Sequence, residues 1–171
     1  LWDPISTIAL ATATGANFVR EIFTGTYASD MGFWSPDAAK AMRYRNSLNS
    51  ENILMFFNVS AEFANSLDKR SVADRAKSVE FSSVPDAILV SGQITGESVD
   101  INDLKLTKEK VLNTPVLANT GVTHENFADI LQVADGAIIG SSLKIDGNTW
   151  NPVDEKRAVS FMEKVKKFRK K

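Results

Sequence analysis

The regular alternation of apolar strand-like runs with helical segments most limits the fold of this chain. The apolar runs, each followed by a helical segment, are NFVREIF, NILMFFNV, DAILVSG, PVLANTG and DGAIIGSS. Another helix, PISTIALATAT, precedes the first run, with Asp3 as its cap and Pro4 in its first turn. Since no two of these strands are adjacent in the sequence, we predict a parallel sheet with crossover helices.

Two α/β architectures fit five strand–helix pairs. One is a (β/α)₈ TIM barrel, present as its C-terminal five βα units, since a full barrel takes about 250 residues. The other is a five-stranded doubly wound parallel sheet. We expect a single domain over residues 1–171. The chain begins at Leu1 with LWDP, which looks like a strand end entering a helix. We therefore expect an N-terminal truncation, with about three further βα units before Leu1.

Composition excludes several kinds of site. The chain contains no cysteine and one histidine, so thiolate chemistry and multi-histidine metal sites are not expected. A net charge of −1 gives no overall attraction to nucleic acid or to anionic membranes. The basic end KVKKFRKK is typical of a solvated helix terminus. No apolar run reaches the roughly 20 residues that span a bilayer, and we expect a cytoplasmic protein without membrane insertion.

Small and hydroxyl residues follow the last two predicted strands. Thr120 and Gly121 end one strand, and Gly140, Ser141 and Ser142 end the next. Glycine lets a backbone approach a ligand closely, and a loop that opens a helix offers free N–H donors. As strands seven and eight of a barrel, these ends would form its usual phosphate site. The alternative interpretation is that these residues only close tight βα turns.

Charged and amide side chains follow two earlier strands. Arg20 and Glu21 are adjacent and must point to opposite faces, so we expect one of them to face the barrel mouth. A structural ion pair with neighbouring strands is the alternative. Asn58 and Glu62 end the next strand and enter its loop, where Glu62 is the best-placed general base.

Several other residues are candidates for the mouth. Ser91 and Asn119 end their strands and could line the pocket, while Lys144 could neutralise a phosphate or lie on the surface. We interpret His124 as a surface or capping residue, and Asp30 as a solvated residue of a glycine-rich loop. Polar strand ends could also hold one Mg²⁺, although no metal ligand is assigned.

Several ordered blocks of the chain resemble the BtpA/SgcQ family of TIM-barrel proteins, and its SgcQ branch most of all. The blocks are VREIFTGTYASDMGFW, ILVSGQITG, PVLANTGVTHENF and ADGAIIGSSLKIDG with the following NPVD. The resemblance covers nearly the whole chain. It implies a cytoplasmic (β/α)₈ barrel whose first three strands precede Leu1, with LWD at the end of strand three. The SgcQ branch is associated with sugar uptake and sugar-phosphate operons.

This chain also differs from the BtpA branch of the family in one motif. The BtpA branch, linked to photosystem I accumulation, carries a histidine-bearing motif resembling DVHVKH after strand five. Here the stretch is FNVSAEF, with Asn58 in place of the aspartate and no histidine. Any role of those histidines does not transfer to this chain.

Two functions remain open from the sequence. The first is an enzyme that binds a small phosphorylated metabolite, most simply a sugar phosphate, with isomerase- or lyase-type proton transfer near Glu21, Asn58 and Glu62. The second is a non-catalytic scaffold for a membrane or transport complex. Nucleoside phosphate hydrolysis is less well supported because no Walker-type glycine loop is present. A homo-oligomer is compatible with either function.

Overall fold

The structure is a computed structural model that describes residues 2–169. Within that range it contains a five-stranded parallel sheet, a separate three-stranded antiparallel sheet and six α-helices. The strand end predicted at LWD falls partly outside the described residues, because Leu1 is not among them. In this part of the chain, no helix combines the length and the apolar character needed to cross a membrane.

The elements follow one another in a simple order. They are α1 (Pro4–Thr14), β1 (Phe18–Glu21), β2 (Tyr27–Ser29), β3 (Gly32–Trp34), α2 (Ala38–Ser47), β4 (Leu54–Asn58), β5 (Ala64–Ser66), α3 (Val72–Ser83), β6 (Ala87–Ser91), α4 (Ile101–Lys110), β7 (Val116–Asn119), α5 (Phe127–Leu131), β8 (Gly136–Ile138) and α6 (Glu155–Arg169).

The order of strands in the large sheet decides between the two predicted architectures. The order is β1-β4-β6-β7-β8, so each strand pairs in parallel with the strand of the same sheet that follows it in the sequence. A doubly wound sheet reverses its strand order at a switch point, and the order within residues 2–169 contains no such reversal. The sheet is a curled half-barrel flanked by helices. The prediction of five βα units of a TIM barrel is confirmed, and the doubly wound alternative is wrong.

The two faces of the large sheet have different surroundings. Val19, Phe57 and Ile88 lie on the face that packs against the helices, in one core with Ile8 of α1 and Leu104 of α4. All five are at most 3% exposed. Alternation along the strands sends the remaining side chains to the opposite face.

The face away from the helices is apolar and partly open. Phe18 and Leu54 occupy paired positions on β1 and β4 and are 47% and 43% exposed. Phe18 stacks on Phe56 with 4.7 Å between the ring centroids.

A small antiparallel sheet interrupts the predicted alternation. Two stretches predicted as loops, or as a loop with a short helix, instead form β2, β3 and β5, with β2 in the centre. A second hydrophobic cluster stabilises this sheet, because Tyr27 is 2% exposed and packs against Ile22 and Ala61. Asp30 lies in the turn between β2 and β3, where Gly32 has a φ of 98°. The expectation of strict strand–helix alternation is therefore wrong between β1 and α2, and again after β4.

The helix starts agree with the sequence in most cases. Asp3 accepts two backbone N–H groups of the first turn of α1, as predicted. The hydrogen bonds of its carboxylate with Ser6 lower the pKa of Asp3 below 3.8. The cap of α2 is Asp37, whose carboxylate accepts the N–H of Lys40, and the helix begins at Ala38.

Candidate functional site

A cleft of about 950 Å³ opens at the carboxyl ends of the large sheet, where (β/α)₈ barrels carry their active sites. The loops after β6, β7 and β8 form most of it, and α6 forms one wall. Its lining includes Arg20, Glu62, Thr95, Glu97, Asn119, Thr120, Gly121, His124, Glu125, Gly140, Ser141, Ser142, Lys156, Arg157, Ser160 and Lys164.

A polar network at one end of the cleft is centred on Asn119. Arg20 Nη1 donates to Asn119 Oδ1 at 2.8 Å, and Asn119 Nδ2 donates to Ser91 Oγ at 2.7 Å. The same amide lies 3.4 Å from Glu62 Oε1, and Arg20 Nη1 is 4.0 Å from that oxygen. The Thr95 hydroxyl donates to Glu62 Oε2 at 2.6 Å. Four predicted residues therefore meet, and Thr95 joins them without having been predicted.

The network fixes a carboxylate beside a cation. Asn119 is 1% exposed and the Glu62 side chain 15% exposed, so water reaches the network mainly from the cleft. Asn119 uses its oxygen for Arg20 and its nitrogen for Ser91 and Glu62, which defines the orientation of its amide. The arrangement presents a proton acceptor, Glu62, next to a positive charge, Arg20.

The structure does not bring the other two predicted catalytic residues to the cleft lining. Glu21 points away from Arg20, is 9% exposed, and accepts from the Thr7 hydroxyl of α1 at 3.3 Å. Asn58 lies on the sheet face of Arg20 but is 7% exposed, and its Oδ1 has no hydrogen-bond partner in the described chain. Glu21 is thus tied to the helix layer by a hydrogen bond and, within residues 2–169, not by the ion pair with neighbouring strands that was the predicted alternative.

The five residues predicted to hold phosphate all line this one cleft. The loops after β7 and β8 are directly connected, because the Ser142 hydroxyl donates to the carbonyl of Val122 at 2.9 Å. The Thr120 hydroxyl accepts from the Gly92 N–H and donates to the Glu97 carbonyl, each at 2.9 Å. These two hydroxyls therefore link neighbouring loops to one another.

The hydroxyl of Ser141 lies 2.5 Å from the hydroxyl of Thr149, and this contact is internal to the loop after β8. The donors still available are backbone groups: within residues 2–169 the N–H groups of Gly121, Val122, Ser141 and Ser142 make no hydrogen bond. If the loops bind an anion, amides and not hydroxyls are the main donors.

The steric constraints on the two glycines of these loops differ. Gly121 has a φ of 62°, and a Cβ there would overlap backbone atoms of Glu97 and Ser98. The Ser98 hydroxyl also donates to the Gly121 carbonyl at 3.0 Å. Gly140 has open space where its Cβ would be. The loop after β6 therefore requires glycine at 121, whereas neighbouring protein atoms do not require it at 140.

Cations on α6 complete the cleft, and the sequence had not singled them out. Arg157 Nε donates to the Ser142 carbonyl at 3.0 Å, so its guanidinium is held beside the loop after β8. Lys156 and Lys164 line the same wall. The signal was present in the sequence, because positions 156, 160 and 164 share one helix face. Of these cations only Lys164 belongs to the basic end KVKKFRKK, which was interpreted as a solvated helix terminus.

Lys144 and His124 both contact backbone carbonyl groups. Lys144 Nζ donates to the carbonyl of Thr149 within its own turn, and Lys144 is not part of the cleft lining. His124 lies in the cleft wall, with Nε2 3.3 Å from the Arg157 carbonyl and its ring edge-on to Phe161 at 4.9 Å. His124 is half-buried, and the N-cap position of α5 is occupied by Asn126 and not by His124.

The acidic residues do not form a metal-binding group. Among residues 2–169, no three histidine, aspartate or glutamate side chains cluster closely enough to hold a metal ion. The described chain therefore does not identify ligands for the Mg²⁺ considered from the sequence.

Comparison with known proteins gives consistent matches over the chain. The model of the BtpA family matches residues 1–167. The sgc region protein SgcQ of Escherichia coli is 44% identical over 170 residues, covering 99% of this chain and 63% of SgcQ. The photosystem I biogenesis protein BtpA of Synechocystis is 31% identical over 162 residues, covering 94% of this chain and 56% of BtpA.

An uncharacterized protein of Thermococcus kodakarensis is 31% identical over 168 residues, covering 98% of this chain and 63% of that protein. The chain thus spans about three fifths of the length of these relatives.

Proposed function

Because the chain belongs to the BtpA family and gathers its polar side chains in one cleft, we propose that it binds a small phosphorylated metabolite. One observation carries this proposal: the Glu62 network and the two small-residue loops after β7 and β8 line the same cavity. The network would hold the reactive end of the ligand, and the free loop amides would hold its phosphate. The choice of a sugar phosphate rests on the sequence resemblance to the SgcQ branch.

The chemistry that this arrangement supports is proton transfer next to a carbonyl group. Glu62 would take a proton from a carbon atom adjacent to the substrate carbonyl. The negative charge then develops on the carbonyl oxygen, where the guanidinium of Arg20 would stabilise it. Returning the proton to the neighbouring carbon completes an isomerisation, while cleavage of an adjacent bond completes a lyase reaction.

A ligand panel on the intact protein tests the binding step. Sugar phosphates should raise the melting temperature, because a ligand at 100 times its Kd adds about 2.7 kcal/mol to the free energy of unfolding. The corresponding unphosphorylated sugars serve as controls. A panel in which no phosphorylated compound stabilises the protein would count against the proposal.

A substitution at Glu62 tests the catalytic step. Glu62→Gln keeps the shape of the side chain but removes the base, so turnover of any substrate found should fall by about 10²–10⁴-fold. The melting temperature should change little. Glu51→Gln, an exposed residue outside the cleft, controls for the change in net charge.

A second candidate function is supported by one relative. The Synechocystis protein, 31% identical to this chain, is named for photosystem I biogenesis, and a non-catalytic assembly factor is therefore the alternative. Such a factor would keep its activity in Glu62→Gln and would co-purify with a partner protein. An enzyme should lose activity with the same substitution.

The proposal also includes a cytoplasmic location and a homo-oligomeric assembly. A phosphorylated metabolite as ligand would fit a cytoplasmic protein, which fractionation of cells would test. A homo-oligomer stays a prediction that light scattering of the intact protein would check.

A further inference from the structure

The wall of the cleft formed by α6 carries more cationic side chains than one bound phosphate would contact. Lys156, Ser160 and Lys164 follow one another at intervals of four residues, and all three line the cleft together with Arg157. Within residues 2–169, none of the three cations has a carboxylate oxygen within 4.0 Å. Unpaired cations that share a concave surface attract anions from solution.

The three cations lie at different positions along α6. Arg157 is held at the loop after β8 by its hydrogen bond to the Ser142 carbonyl, at the proposed phosphate position. Lys164 lies seven residues further along α6, which is about 10 Å along the helix axis. Ser160 lies between them. A phosphate bound at the loop amides and Arg157 therefore leaves the distal part of the wall without a partner.

The charges of the wall give the same result. Glu125 is the acidic residue of the cleft lining nearest in sequence to the phosphate loop after β7. Its hydrogen bond with Thr123, followed by one with its own backbone and by the charge of Lys164, lowers the pKa of Glu125 below its usual range, so it is ionised at neutral pH. Two acidic residues of the lining, Glu97 and Glu125, balance Lys156 and Lys164 in formal charge, but in the described chain neither carboxylate lies within 4.0 Å of these lysines. Both lysines are therefore available to a ligand.

We infer that the ligand of this cleft carries a second anionic group, a carboxylate or a second phosphate, bound by Lys156, Ser160 and Lys164. The inference rests on the proposed function, since it places this group relative to a phosphate at the loops after β7 and β8. It narrows the substrate class to phosphorylated sugar acids and sugar bisphosphates.

Calorimetric titration of the intact protein with matched probes tests the inference. Glucitol 6-phosphate and 6-phosphogluconate differ at carbon 1, where the second compound carries a carboxylate. Fructose 6-phosphate and fructose 1,6-bisphosphate differ by the second phosphate. In at least one pair, the compound with two anionic groups should bind about tenfold more tightly. The pair that shows the preference identifies the second group.

Substitutions on α6 connect the preference to the wall. In Lys156→Gln/Lys164→Gln the two compounds of the preferred pair should bind within about twofold of each other, because the compound with two anionic groups loses its additional affinity. Lys166→Gln/Lys167→Gln removes the same charge from the same helix outside the cleft lining and should keep the preference. All four lysines lie on the surface or at its edge, so folding is not at risk.

The possible failures are distinguishable. Equal affinities within both pairs, or a preference that survives in Lys156→Gln/Lys164→Gln, would overturn the second anionic site and leave phosphate binding intact. Binding of none of the four compounds would overturn both the inference and the proposed function.

Discussion

Arg20 on β1 and Asn119 on β7 are joined by a hydrogen bond of 2.8 Å, although β4 and β6 lie between their strands. Neighbouring strands are about 4.8 Å apart, so these two strands would be about 14 Å apart in a flat sheet. The length of the arginine side chain and the curl of the sheet together close this distance. The curvature of the half-barrel is therefore what assembles the polar network.

Asn119→Ala should lower stability by about 1–3 kcal/mol. The substitution leaves the buried hydroxyl of Ser91 without its amide partner, and an unsatisfied buried polar group costs about 1–3 kcal/mol, whereas the exposed guanidinium of Arg20 can bond to water. Urea unfolding followed by circular dichroism measures the change. Asn46→Ala, at an exposed position on α2, is the control and should change stability by less than about 0.5 kcal/mol. Equal effects of both variants would mean that the network contributes nothing measurable.

Alanine at the two loop glycines should have opposite outcomes. Gly121→Ala should cost roughly 2–4 kcal/mol, because the new methyl group meets the backbone of Glu97 and Ser98 and φ at this position is 62°. Gly140→Ala adds a methyl group to open space and should stay within about 1 kcal/mol of the wild type. Thermal unfolding of both variants is the measurement. A stable Gly121→Ala would show that the loop after β6 moves away easily.

The large sheet was predictable because its strands are buried on both faces or nearly so. Runs such as AILVS in β6, where all five residues are buried, have no alternation and few structural alternatives. Polar residues at the ends of such strands must meet at one edge of the sheet. That rule predicts one site that includes Arg20, Glu62, Ser91 and Asn119.

The small sheet and the cation wall were not predictable in the same way. Strands β2, β3 and β5 have three residues each, too short for a periodic pattern, and Gly25 and Gly32 around β2 are typical of loops. Their stability comes from the burial of Tyr27 against Ile22 and against Ala61, which is distant in sequence. Lys156 and Lys164 are ordinary helix-surface residues until the position of α6 beside the sheet is known.

Glu80 should make stability depend on pH below about 4.5. Its carboxylate accepts the backbone N–H groups of Leu112, Asn113 and Thr114 at 3.3, 2.8 and 2.9 Å. Burial raises the pKa of Glu80, but these hydrogen bonds outweigh burial and lower the pKa below 4.5. A lowered pKa means that the stabilisation is complete above 4.5 and is lost as the pH falls through the folded-state value.

The test compares the wild type with Glu80→Gln from pH 7 to pH 3. The difference in free energy of unfolding between them should be constant at pH 5–7 and should shrink below pH 4.5. Glu109→Gln, on the exposed surface of α4, controls for the loss of one negative charge. A difference for Glu80→Gln that is the same at every pH would show that the glutamine amide, not the missing charge, causes it.

The small sheet should depend on Tyr27 and not on Phe33, its exposed aromatic neighbour. Tyr27 is 2% exposed and Phe33 84% exposed, although β2 and β3 are paired. Tyr27→Ala should cost about 3–5 kcal/mol, since it removes a buried aromatic ring, whereas Phe33→Ala should cost less than about 0.5 kcal/mol. Hydrogen exchange would locate the effect: amides of β2 and β5 should lose protection in Tyr27→Ala, while those of β6 and β7 should keep theirs. Loss of protection throughout the large sheet would instead mean that the two sheets unfold as one unit.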